Sequence, residues 1–139
     1  LNRRRGHNDQ DLDLQFYNAC LRVLAKCSPY DDNAPDRAEK LFQEMSTVMS
    51  PDSASFVSIM HAWASSRLPG SAERAQAILE NMIESSQHNS KLDSSCFNVC
   101  IDGWAKEGSP EKAEELLWRM HRLHKQGIPN VQPNQISFN

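Results

Sequence analysis

The feature that most constrains this chain is a pattern that recurs about every 40 residues along it. Three segments share the order acidic, basic, alanine, an apolar pair and then methionine, and their alanines stand at positions 38, 75 and 113. A second series, an aromatic residue at positions 17, 56, 97 and 138, alternates with the first. The intervals are 37 and 38 in one series and 39, 41 and 41 in the other. Two interleaved series of nearly equal period predict one two-element repeat, present three times, with a fourth beginning.

Each element of this repeat has the apolar spacing of an amphipathic helix. In the third copy, positions 97, 100, 101 and 104 of the first element are apolar, as are 113, 116, 117 and 120 of the second. This is the i, i+3, i+4, i+7 template of a helix. Pro110 suits the first turn of a helix, and Ser71 and Ser109 stand where a side chain can cap one. We expect antiparallel helical pairs that stack into a superhelix, because a single pair cannot bury both of its apolar stripes.

Composition narrows the classes of function. The chain has 139 residues, with 15 Lys plus Arg against 18 Asp plus Glu and a net charge of -3. This balance provides no overall attraction to a polyanion, so any nucleic-acid binding must depend on local pattern. The apolar runs are far shorter than the roughly 20 residues that cross a bilayer, and no membrane contact is expected. A chain that opens at Leu1 and stops at Asn139 inside a new repeat is expected to be part of a longer protein.

Few residues in the sequence indicate catalysis or metal binding. His121 and His124 share a helix face, but no third ligand accompanies them, so no metal site is expected. No catalytic triad, carboxylate pair or Gly-rich loop recurs at useful spacing, so we predict no catalytic residue, no enzyme activity and no cofactor. Trp63 and Trp104 are predicted at helix interfaces and Trp118 at the surface. Reduced, buried thiols are expected for the four cysteines, which lie in helical patterns without CxxC spacing: Cys20, Cys27, Cys96 and Cys100.

The third copy carries a family resemblance. Its residues Phe97 to Gly108, Glu111 to Leu117, Met120 and the ending Gln132-Pro133-Asn134 closely resemble the pentatricopeptide repeat, and the other copies resemble it more loosely. The resemblance implies an all-α fold, an alpha-alpha superhelix formed as a right-handed solenoid of antiparallel helical hairpins. The chain then divides into a flexible basic arm, three repeats and the start of a fourth: 1–12, 13–52, 53–93, 94–134 and 135–139.

The resemblance also implies a binder of single-stranded organellar RNA, in which each repeat addresses one base through a few side chains. In the family, the reading pair is the residue after the first-helix aromatic and the residue that ends the repeat. Carried over one by one, the base-reading residues are Asn18 with Asp52, Val57 with Asp93, Asn98 with Asn134, and Asn139.

The individual pairs differ in what they imply. The first resembles a uracil reader and the third a pyrimidine reader, whereas Val57 has no group that can hydrogen-bond to a base. Phosphate contacts are expected from three cationic side chains on first helices: Arg22, Lys26 and Lys106.

Some features leave alternatives open. Asp52 and Asp93 can cap the helices that follow them, either as their only role or together with base reading. The position three residues before each reading residue is an aliphatic wall in the family, but here it holds Gln15, Ala54 and Ser95, and an aliphatic residue, Ile136, only in the last copy. Base stacking is therefore expected to be weak.

The function implied by the resemblance is RNA processing, stability or translation in a mitochondrion or chloroplast, by a monomeric binder with a pyrimidine preference. The alternative is a protein-protein scaffold similar to tetratricopeptide repeats, in which the same groove receives a peptide and RNA has no role. A third class is an enzyme whose catalytic domain lies outside this sequence.

Overall fold

A computed structural model describes residues 2–85 and 87–131. This part of the chain consists of helices and the loops that connect them, without strands. Three helical hairpins follow one another, as the two-element repeat predicts. Their helices are α1 Asn2–Cys27 with α2 Ala34–Val48, α3 Ser53–Ala64 with α4 Ser71–Glu84, and α5 Ser94–Lys106 with α6 Pro110–Lys125. A 3-10 turn, Asn89–Lys91, lies in the loop between α4 and α5. Asn134, Asn139 and the start of a fourth repeat lie outside the described residues.

The hairpins stack in two layers. The first helices lie side by side, α1 against α3 and α3 against α5. The second helices cover this layer from behind, since α2 packs on α1 and α3, α4 on α3 and α5, and α6 on α5. Helix α3 is therefore enclosed on three sides. This arrangement is the helical solenoid that the repeat predicts.

The core follows the apolar stripes. Phe97, Leu79 and Met60 are fully buried between the layers. Trp63 and Trp104 are also buried at the helix interfaces, and Trp118 is 57% exposed, as predicted for all three.

The four cysteines are unpaired thiols, as predicted, but the expected burial is wrong for two of them, because Cys27 is exposed and Cys20 is half-buried on the outer side of α1. Cys96 and Cys100 are fully buried. Burial raises the pKa of the Cys96 thiol to about 12, and the pKa of Cys100 is raised further for the same reason. These two thiols therefore contribute as core residues and have little nucleophilic character.

Polar contacts tie each hairpin to the next along the outer layer. Arg74 of α4 pairs with Glu39 of α2 at 3.3 Å, and Arg119 of α6 pairs with Glu80 of α4. The indole nitrogen of Trp104 donates to Gln76 Oε1 at 2.6 Å. Such partly exposed ion pairs contribute little to stability.

The helix starts differ from the prediction in two places. The hydroxyls of Ser71 and Ser109 cap no helix, and the N-cap of α4 is Gly70 with φ of 78°. The Ser71 hydroxyl instead donates to the carbonyl of Leu68 at 2.7 Å. The amide of Ala72, in the first turn of α4, donates to the Glu107 carboxylate of the next hairpin at 3.1 Å. A side chain from a neighbouring repeat thus takes the place of the local cap. Pro110 occupies the first position of α6, as predicted.

The N-terminal region of α1 is an extension beyond the repeat. Residues 2–12, expected as a basic arm, continue α1 as helix. On the side of α1 away from α3, Phe16 and Val23 are 68% and 59% exposed. None of the described helices combines the length and the apolar character that crossing a membrane requires.

We predict that Gly103→Ala destabilises the fold. A Cβ at position 103 would lie 3.0 Å from the Cβ of Ala64 and 3.3 Å from its Cα, both on the rigid neighbouring helix α3. Overpacking of this kind costs about 1–3 kcal/mol, which exceeds the gain of roughly 0.5–1 kcal/mol from replacing a helical glycine. Chemical denaturation measures the free energy of unfolding.

The control is the double variant. Because Ala64→Gly removes the opposing Cβ, Gly103→Ala should be neutral or stabilising in that background. Equal destabilisation in both backgrounds would contradict the close contact between α3 and α5.

Candidate RNA-binding surface

Helix α3 exposes one narrow stripe of side chains. Because α1, α5 and the second helices enclose it, Ala54 and His61 are exposed, Val57 and Ser65 are half-buried, and nearly all its other side chains are buried. These positions are spaced i, i+3, i+7 and i+11, which places them on one helix face. The same positions on α1 and α5 extend the stripe into a surface that we call the reading face: Gln15, Asn18, Arg22, Lys26, Ala54, Val57, His61, Ser65, Ser95, Asn98, Asp102 and Lys106.

The first predicted reading pair is in direct contact. The Asn18 amide nitrogen Nδ2 donates to Asp52 Oδ1 at 3.1 Å, although the residues are 34 positions apart. A carboxylate only accepts hydrogen bonds, so the Nδ2 end of the amide must face Asp52 and the orientation of Asn18 is determined. The contact lies where α1 meets the start of α3.

Asp52 also caps α3, as the sequence predicted. Its carboxylate accepts from the Ser55 amide at 3.0 Å, and the Ser55 hydroxyl accepts from the Asp52 amide at 3.1 Å, which completes a capping box. Ser55 is not among the residues predicted from the sequence to take part in the site. The signal that could have found it is the hydroxyl three residues after a capping carboxylate.

The surroundings of Asp52 favour its charged form. Partial burial raises the pKa of this carboxyl, but hydrogen bonds from Ser55 and Asn18 outweigh the burial and lower its pKa below the ordinary value of 3.8. At neutral pH the reading face therefore presents an anionic acceptor beside the Asn18 amide.

The second pair has a different chemistry. Asp93 caps α5 by accepting from the Cys96 amide at 3.2 Å, as predicted. At the position of Ser55 this repeat has Cys96, and at the position of Asn18 it has Val57, which packs against the core. Asp93 thus has no amide partner equivalent to Asn18, and the structure does not bring a polar pair together here.

The third pair is described only in part. Asn98 is half-buried on α5, at the position equivalent to Asn18. Its predicted partner Asn134 and the unpaired Asn139 lie outside the described residues.

The predicted phosphate contacts lie on the reading face. Arg22, Lys26 and Lys106 are exposed, and Lys106 pairs with Asp102 at 3.3 Å. Desolvation and the charge of Lys106 lower the pKa of His61, and Asp102 opposes this. The charged side chains of α5 therefore lie close enough to His61 of α3 to influence its protonation. Asp102, the acidic member of this group, was not predicted from the sequence, because nothing in its local pattern separates it from other exposed carboxylates.

No base wall of aliphatic side chains is present in these three repeats. Gln15, Ala54 and Ser95 are exposed on the reading face, and two of them are too small to cover a base. In the described part of the chain no group of three or more His, Cys, Asp and Glu side chains could hold a metal ion. His121 instead stacks edge-on against Trp118, with ring centroids 6.0 Å apart.

Comparison with known proteins agrees with this geometry. The PPR repeat family matches residues 95–124, which span α5 and most of α6. A pentatricopeptide repeat-containing protein of Arabidopsis thaliana is 21% identical over 128 residues, or 92% of this chain and 20% of that protein. The family match and this relative support a pentatricopeptide repeat protein. The chain spans about a fifth of the length of this plant relative. No solved structure matches the chain.

We predict that Asp52→Asn destabilises the protein in a pH-dependent way. Asparagine keeps the cap but loses the charge near the positive end of α3, which costs about 0.5–1 kcal/mol at pH 7. Because the folded pKa lies below 3.8, the charged contribution is complete above that pH and is lost as the pH falls through the folded value. The difference between wild type and variant should therefore shrink below pH 3.8.

The measurement is the free energy of unfolding of both proteins between pH 7 and 2.5, in about half-unit steps. Asp32→Asn, which removes an exposed loop carboxylate, is the matched control. A constant difference between wild type and Asp52→Asn across this range would contradict the stabilised charge.

Proposed function

We propose that the chain binds single-stranded RNA sequence-specifically along the reading face, with one base addressed by each hairpin. The single observation that carries the proposal is the hydrogen bond between Asn18 of α1 and Asp52, the N-cap of α3, which are the two residues of the first predicted reading pair. Membership of the pentatricopeptide repeat family supports RNA as the ligand.

The chemistry of this pair favours pyrimidines. One N–H of the Asn18 amide is directed to Asp52, and the amide has a second N–H that can donate to a ligand. Uracil and cytosine both carry a carbonyl oxygen, O2, on their Watson–Crick edge. Adenine has a C–H at the corresponding position, which cannot accept a hydrogen bond from the Asn18 amide. The ionised Asp52 adds an acceptor that suits the N3–H of uracil.

The other hairpins contribute less. Val57 offers no hydrogen bond, so the second site tolerates different bases. Asn98 provides the same amide as Asn18 and supports pyrimidine reading at the third site. Small residues at the wall positions limit stacking, which is worth about 1–3 kcal/mol per base where a full platform exists. We expect weak binding by these three hairpins.

The cellular role follows from the family. We propose that the protein acts on mitochondrial or chloroplast transcripts, in their processing, stability or translation, as a monomeric binder without catalytic activity of its own. The plant relative of the same family supports an organellar role.

A protein-binding scaffold is the second candidate. The observations that favour it are the net charge of -3 and the carboxylate of Asp102 on the reading face, which repels phosphate. In that case the groove would receive a peptide with basic side chains.

An NMR titration with short oligo-U, oligo-C and oligo-A at low salt tests the proposal. Side-chain amide shifts at Asn18 and Asn98 with U or C, smaller with A and declining as salt rises, are the expected result. The absence of shifts with every RNA, together with shifts produced by a basic peptide, would favour the scaffold.

We predict that Asn98→Thr moves the preference of the third site toward purines. The shorter side chain removes the amide donor and leaves room for a larger ring. The ratio of oligo-A to oligo-U affinity, followed through backbone amides of α5, should rise about threefold. Asn81→Thr on the outer helix α4 is the matched control, and an unchanged ratio in Asn98→Thr would exclude this role for Asn98.

We predict that Lys106→Ala weakens binding to all three RNAs equally, about two- to fivefold, because a phosphate contact carries no base information. The dependence of log K on log salt should become shallower by about 0.7. Lys40→Ala is the control, since Lys40 forms an equivalent i, i+4 pair with Asp36 at 3.2 Å but lies on α2. Equal effects of the two substitutions would show that Lys106 acts only through net charge.

A further inference from the structure

One buried hydroxyl touches both members of the first reading pair. The Ser55 hydroxyl lies 2.5 Å from Asn18 Oδ1, to which it donates, and 2.9 Å from Asp52 Oδ1. Ser55 is fully buried on α3. It therefore belongs to the second hairpin, whereas Asn18 belongs to the first.

The two ends of the Asn18 amide are consequently held by different groups. Nδ2 donates to Asp52, and Oδ1 accepts from Ser55. An amide held at one end only can rotate about its last side-chain bond, whereas one held at both ends has a determined plane. The direction of the second N–H of Asn18 then depends on Ser55.

We propose that Ser55 is the positioning residue for base recognition at the first site, so that the following hairpin controls the specificity of the first. This proposal rests on the proposed function. Ser55 touches the reading residues and not the base, and its effect is on the orientation of the Asn18 amide.

The second interface of the same chain supports the assignment. There Cys96 stands at the position of Ser55, and Val57, at the position of Asn18, has no amide to orient. The Cys96 sulfur lies 3.5 Å from Oδ1 of Asp93, the N-cap of α5. The hydroxyl is thus present where there is an amide to position, while the capping carboxylate is present in both places.

The test compares wild type with Ser55→Ala, Ser55→Cys and Ser55→Thr in the 139-residue chain. Ser55→Cys copies the residue found at the equivalent position of the next repeat, so it is compatible with the fold. Ser55→Thr keeps the hydroxyl and should restore wild-type behaviour. Ser58→Ala removes another buried hydroxyl of α3 and is the control. Thermal unfolding establishes that each variant is folded at the temperature of the titrations.

Two readouts are used. In the absence of RNA, the side-chain amide resonances of Asn18 should move in Ser55→Ala and Ser55→Cys, and remain in place in Ser58→Ala. With RNA, the ratio of oligo-U to oligo-A affinity reported at Asn18 should fall about three- to tenfold in the first two variants. The response at Asn98 in the third hairpin should stay unchanged and serves as the internal reference.

The outcomes separate the two proposals. An unchanged U to A ratio at Asn18 in folded Ser55→Ala and Ser55→Cys, with wild type showing the preference, would overturn the role of Ser55 alone. Failure of Ser55→Thr to restore the ratio would also overturn it. A wild-type protein that responds to none of the RNAs would overturn the proposed function and the positioning role together.

Discussion

The close approach of the three first helices is the constraint on which the rest of the structure depends. Where α3 and α5 face the preceding helix, the residues are small and buried, namely Ser55 and Ala62 on α3 and Cys96 and Gly103 on α5. Gly103 shows how little room there is, because a Cβ there would contact Ala64 at 3.0 Å. This spacing encloses α3 and leaves one exposed stripe, so the reading face results directly from how tightly the helices pack.

The repeats have similar backbones but differ in the side chains that meet where neighbouring first helices come together. Asp52 and Asp93 both cap the helix that follows, and both accept a hydrogen bond from the third residue of that helix. Only Asp52 also contacts an amide of the preceding hairpin. Capping and recognition are therefore compatible, because the cap uses the carboxylate in a fixed orientation and the amide joins it from the side. In the second repeat Val57 leaves the cap without such a partner.

The charges on the reading face limit how strong the proposed RNA binding can be. The chain is acidic overall, but Arg22, Lys26 and Lys106 place cations along the reading face. Asp102 neutralises part of this charge through its pair with Lys106. Modest phosphate attraction and small wall residues fit a surface in which several hairpins must act together, since each base contributes little by itself.

The amino-acid sequence determined the helices, their pairing and the residues that form the core. These follow from the spacing of apolar residues within single helices, which is a local property, and they account for the burial of Phe97, Trp104 and Cys100. The cap by Asp52 is likewise local. The tertiary structure decided the contacts between repeats. Glu107 replaces Ser71 as the partner of the Ala72 amide, and Asn18 bonds to Ser55 and Asp52, which lie 37 and 34 positions further along the chain respectively. A periodic pattern carries no information about the distance between neighbouring helices, and such hydrogen bonds form only when that distance allows them.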